Sequence, residues 1–99
     1  MSYVRQGSYL PGTTINITTS GSSQATGAVG NTTAIVRVAV TENTYVAVGT
    51  GNTAATTSSM MIPAGGVEFL AVTPATGNVA VLKVTTAGIA SITELAELP

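Results

Sequence analysis

The stretch AIVRVAVTENTYVAV, Ala34–Val48, decides the fold. In its first half Val36, Val38 and Val40 alternate with Ile35, Arg37 and Ala39. A β-strand produces that period of two, because its successive side chains leave opposite faces. Thr41-Glu42-Asn43-Thr44 has the length and chemistry of a tight connection. Tyr45–Val48 then returns to β-branched and aromatic residues, which fit a pleated surface. The segment reads as a β-hairpin.

Upstream, Thr13–Thr19 alternates with Ile15 and Ile17 on one face and reads as a short strand. Ser20–Thr33 is built from Gly, Ser, Ala and Thr, with Val29 as its large apolar residue. It reads as a flexible loop, or as a pair of weak edge strands around Gly21 and Gly27. A loop of this length in a compact domain is uncommon and is a place for contacts. Met1–Gly12 has no clean period and holds Tyr3, Arg5, Tyr9 and Pro11. We read residues 1–12 as an extended N-terminal arm and residues 13–99 as one domain. Tyr and Arg are enriched at interface hot spots, which makes Tyr3, Arg5 and Tyr9 candidate contacts of an arm that docks on a neighbour. The alternative is a frayed terminus.

Downstream, Thr50–Ser59 is small and polar, and no Gly-Lys-Ser or Gly-Lys-Thr follows its glycines, so it is not a phosphate loop. Ser59–Ile62 is a strand ended by Pro63. Ala64-Gly65-Gly66 makes a tight turn, where glycine tolerates positive φ. In Val67–Val72, the residues Val67, Phe69 and Ala71 oppose Glu68, Leu70 and Val72. Thr73–Asn78 is turn chemistry throughout. Val79–Val84 and Ile89–Leu95 are the last strands, with Thr86-Ala87-Gly88 as a hairpin loop between them. The total is about seven strands at the spacing of a β-sandwich or small barrel, with no helical period. The expected fold is an all-β, single-domain antiparallel β-sandwich, immunoglobulin-like or jelly-roll-like. Several strands are apolar on both faces. A sheet face open to water should be polar, so some outer faces are expected to meet other chains.

Composition points the same way. A 99-residue chain buries roughly 64% of its unfolded surface, enough for one modest core that partner chains would help. Charged residues make up 7%, against about 25% in soluble domains generally. Hydroxyls and amides stand in their place, and they are easier to desolvate than ions. Such a surface suits a protein hidden in an assembly, because interface cores are depleted of charge. The net charge of −1 neither steers the chain to nucleic acid nor strongly repels it. No apolar run approaches the roughly 20 residues of a membrane helix. MSYVRQGSYLPG lacks a basic region followed by an apolar run, which argues against a cleaved secretory signal. Without one, the acceptor patterns at Asn16 and Asn31 read as chance.

The chain has no Cys, His, Trp or Asp. Thiolate metal sites and the usual nucleophile-base arrangements need those residues, so we expect no metal, no cofactor and no catalytic site. Glu42, Glu68, Glu94 and Glu97 have no glycosidase-like motif around them. Arg37 sits mid-strand beside Ile35 and Ala39. It is expected to pair, with Glu68 in an adjacent strand as one possibility, or to serve an interface, since an unpaired buried charge is costly. Lys83 is expected to face solvent on the polar side of its strand.

Three motifs carry a family resemblance: TYVAVGT at Thr44–Thr50, MMIPAGGVEF at Met60–Phe69, and VAVLK at Val79–Lys83 leading to ITEL at Ile92–Leu95. Over residues 34 to 96 the chain resembles small virion proteins of tailed bacteriophages. The resemblance implies a β-sandwich decoration (cement) protein on the capsid exterior, often a homotrimer. Such a protein is made in the host bacterial cytoplasm and bridges subunits of the major capsid protein. It brings no catalytic residues to carry over. The other classes are a tail or baseplate accessory or receptor-binding module, and a non-viral immunoglobulin-like interaction domain. With no Trp and one Phe, the chain is poorly supplied with rings for stacking sugars.

Overall fold

The computed structural model describes residues 9–97. These form eight strands: β1 (Tyr9–Thr18), β2 (Gln24–Ala25), β3 (Ile35–Val40), β4 (Thr44–Thr50), β5 (Met60–Ile62), β6 (Val67–Ala71), β7 (Gly77–Lys83) and β8 (Ile89–Glu97). The described residues contain no helix. The strand beyond the expected seven is β2, two residues inside the 20–33 loop. Two four-stranded antiparallel sheets face each other, ordered β1-β8-β3-β6 and β2-β7-β4-β5.

The pairing has a simple rule. β1 pairs with β8, β2 with β7, β3 with β6, and β4 with β5. The chain is thus one long antiparallel ribbon, doubled back between β4 and β5 and then rolled. The roll closes where β8 meets β3 and β7 meets β4.

This rule corrects both expected hairpins. Ala34–Val48 does form two strands, but β3 lies in one sheet and β4 in the other. Thr41–Asn43 carries the chain across the sandwich. Backbone bonds anchor that corner, from Thr41 N–H to the Ile89 carbonyl at 3.0 Å and from Val84 N–H to the Asn43 carbonyl at 3.3 Å. β7 and β8 likewise belong to different sheets. Period two fixes which side chains face inward but not which strand lies alongside. Here Val36, Val38 and Val40 meet Val46 across the core instead of beside it.

The core is mostly valine and isoleucine. Ile17, Val36, Val38, Val40, Ala90 and Ile92 come from the first sheet, and Val46, Ile62, Val79 and Val81 from the second. Enclosing a valine or isoleucine side chain contributes about 1.5–3 kcal/mol. The turn after β5 forms as its glycines require. Gly66 N–H donates to the Pro63 carbonyl at 2.8 Å, and Gly65 takes φ 78°.

The last residues of the expected arm belong to a strand. Tyr9–Gly12 lie in β1, opposite the end of β8. A register shift between Pro11 and Thr14 marks the irregular point. Tyr3 and Arg5 lie outside the described residues.

Candidate functional site

The alternation that buries Val36, Val38 and Val40 turns Ile35, Arg37 and Ala39 outward. The register continues those outward positions into rows across the sheet. One row is Phe69–Arg37–Thr93, the next is Ala71–Ile35–Leu95, and the third is Val67–Ala39–Ser91. The Tyr9 ring stacks on Phe69, with centroids 6.1 Å apart and planes at 29°. β1 and β6 are opposite edges of the sheet, so this contact spans the face. Leu95 and Thr93 are buried although they point away from the core, while Val67 and Phe69 remain exposed. The Thr14 and Thr93 hydroxyls bond to each other at 2.9 Å. Tyr9, Val67, Glu68 and Phe69 line a depression of about 380 Å³. An apolar and aromatic face with a half-buried arginine at its centre is therefore turned away from the core.

Arg37 does not pair with Glu68 as expected. Glu68 stands opposite Val38, one residue out of step, and one residue of register puts it on the other face. The directly opposed neighbours of Arg37 are Phe69 and Thr93, neither of them acidic. Nor is Lys83 on a polar outer side. Its alternation places it with Val79 and Val81, at the last position of β7, half-buried. A Cβ on Gly21 would sit 3.9 Å from its Cε, so the side chain runs along the 20–22 loop.

The outer face of the second sheet is partly covered. Ala25, Ala80 and Ala47 make one row, and Asn78 with Gly49 the next. Ala80 and Asn78 are buried. The segment after β4 folds over them: Ala55 N–H donates to Ser23 Oγ at 2.8 Å, and a Cβ on Gly49 would lie 2.5 Å from Thr53 Oγ1. The Asn78 Oδ1 beneath is buried without a hydrogen-bond partner, a condition that costs about 1–3 kcal/mol. Farther along, Met61, Tyr45 and Leu82 share a row, and Met60 and Met61 are nearly half exposed on edge strand β5. The covering segment was missed in the sequence. Its signal was the run of small residues at outward positions of β4 and β7.

The acidic residues are dispersed. Glu42 is in the β3–β4 corner, Glu68 is on edge strand β6, and Glu94 and Glu97 are on β8. Glu94 is structural: its Oε1 accepts from Gly30 N–H at 3.0 Å and from Thr33 Oγ1 at 2.6 Å. Among the described residues no three His, Cys, Asp or Glu form a group that could hold a metal ion, and no helix is long and apolar enough to cross a membrane. No protein-family model, curated protein or solved structure matches the chain.

Proposed function

We propose that this chain is a structural virion protein that decorates and stabilises a bacteriophage capsid from outside, bridging major capsid protein subunits as a homotrimer. The observation that carries an assembly role is the outer face of the first sheet. Tyr9, Ile35, Val67, Phe69 and Leu95 occupy positions that a water-facing sheet gives to polar residues. Contiguous apolar surface on a charge-poor protein marks a contact site. The capsid as partner and the trimer come from the resemblance over residues 34 to 96.

The strand order adds support. We read the pairing of the first strand with the eighth, the second with the seventh, the third with the sixth and the fourth with the fifth as jelly-roll order. We read the sandwich as that type and not as immunoglobulin-like. Viral capsid domains and lectins both use it, so the fold favours a virion role by analogy. In this role the protein binds the assembled lattice and not its dispersed subunits, so binding favours the lattice by mass action. Each copy need contribute only a few kcal/mol, because many copies act on one shell.

The test strips the protein from heads, adds it back, and records the temperature at which DNA is released. Full-length protein should raise it. No rise would sink the cement role, and finding the protein on tails but not on tailless heads would move it to the tail.

A further inference from the structure

The structure carries four sheet edges, β1, β6, β2 and β5, each paired on one side only among the described residues. Open edges are templates for another strand, and proteins ordinarily blunt them. β2 has two residues and β5 three, the latter closed by Pro63. β1 is broken by Pro11 and a register shift, and its regular half points Thr14, Asn16 and Thr18 outward. β6 differs. Val67–Ala71 runs five residues without proline, glycine or bulge, in continuous register with β3. It also shows Val67 and Phe69 to solvent.

β6 carries one charge. Glu68 stands opposite buried Val38 and is itself exposed at the rim of the sandwich. An inward-pointing charge on an edge opposes pairing with an identical strand: β6 against β6 centred on this residue would set carboxylate against carboxylate. A strand with a cation at that position would instead gain an opposed pair. Among the described residues no edge strand of a second copy supplies one, since β1, β2, β5 and β6 contain no Lys or Arg. The cation-bearing strands β3 and β7 are each paired on both sides. Beside Glu68 on the outer face lie the stacked rings of Phe69 and Tyr9 and the depression that they line with Val67.

We propose that β6 receives an extended strand from another protein, adding a fifth strand to the first sheet. That strand carries Lys or Arg opposite Glu68 and an aromatic or aliphatic residue opposite Phe69. Backbone bonds supply the affinity and the two adjacent side chains the selection. The inference deepens the assembly reading and rests on it only for the partner's being a protein. It is tested without a capsid, so the two fail separately.

The probe is the capped pentapeptide Thr-Val-Tyr-Lys-Thr, with counterparts carrying Gln or Glu in place of Lys, titrated into the full-length protein labelled with nitrogen-15. The Lys peptide should shift the amide resonances of Val67–Ala71 and slow their hydrogen exchange. It should bind about fivefold or more tightly than the Glu peptide, given the size of opposed and like cross-strand pairs. Glu68→Lys should reverse the order and Glu68→Gln should level it. Residue 68 is exposed, so both variants keep the fold. Equal binding of the three peptides, shifts confined to β1 or β5, no binding at millimolar peptide, or an unreversed order in Glu68→Lys would each overturn the proposal. So would tighter peptide binding by Arg5→Gln, which would assign the edge to the chain's own first residues.

Discussion

The Thr33 hydroxyl donates to Glu94 Oε1 at 2.6 Å, and the same oxygen accepts Gly30 N–H at 3.0 Å. One carboxylate thus ties the 30–33 turn to β8, at an inward position where an apolar residue would ordinarily sit. Thr33 is buried, whereas Gly30 is exposed, so water can replace the carboxylate for the glycine more readily than for the threonine.

Glu94→Ala should lower unfolding free energy by about 1–3 kcal/mol, because it strands the buried Thr33 hydroxyl. Thr33→Val should lose about 1 kcal/mol, the size of a net hydrogen bond. The double variant should lose less than the sum, since the two share one interaction. Urea titration of the four proteins checks this, and strict additivity would mean the bond contributes nothing.

Ala75 takes φ 70°, in the turn where its N–H donates to the Gly30 carbonyl at 3.0 Å. That conformation costs an L-residue roughly 1–2 kcal/mol, while glycine loses more chain entropy on folding. Ala75→Gly should therefore raise stability by up to about 1 kcal/mol. A lower melting temperature in the variant would contradict it.

If the outer face of the first sheet is the contact, Phe69→Ser should weaken assembly at least tenfold, the scale of an aromatic hot spot, and leave the fold intact. Light scattering of the wild type should give three chain masses, and the variant fewer. A variant that assembles as the wild type does would remove this face from the interface. Salt should change binding little, since the chain carries three basic and four acidic residues and exposed pairs are the salt-sensitive component.

Removing residues 1–8 should leave the sandwich folded, because the described pairing of β1 with β8, from Tyr9 to Thr18, lies outside the removed segment. Removing 1–12 should destabilise it by taking away the Tyr9–Phe69 stack and the Pro11–Leu95 pairing. Thermal melts of the two truncations separate these outcomes. If the proposed capsid role holds, full-strength activity in the shorter truncation would exclude residues 1–8 from the contact.

The strands were legible in the sequence because alternation is local. Val36, Val38 and Val40 announce one face, and Val67, Phe69 and Ala71 another. The partners were not legible. Nothing near Thr41–Asn43 says that β4 lies across the core from β3, since that depends on β8 and β6, which flank β3. Pairing of Arg37 with Glu68, one of the alternatives its sequence position raises, is not found: Glu68 stands opposite Val38, and a slip of one residue inverts the face. Tyr9 was read as part of an arm, and its place in β1 follows from pairing with residues some ninety positions away.

The rolled ribbon also sets the folding rate. Only β4 and β5 are consecutive and paired, so every other pair closes over a longer stretch of chain at a greater loop-closure cost. Refolding should be slow for so small a domain, milliseconds to seconds. A microsecond phase that recovers all native signal in stopped or jumped refolding would contradict this.

Tyr9 stands opposite Glu97, so the first and last described residues lie side by side at one end of the β1–β8 pair. Tension applied at these two residues would open β1 from β8 one bond at a time, as a zipper opens, and would not shear the bonds together. If the proposed capsid role holds, a firm grip on an expanding or pressurised shell would have to come through the sheet face or the β6 edge, where force is shared across several strands at once.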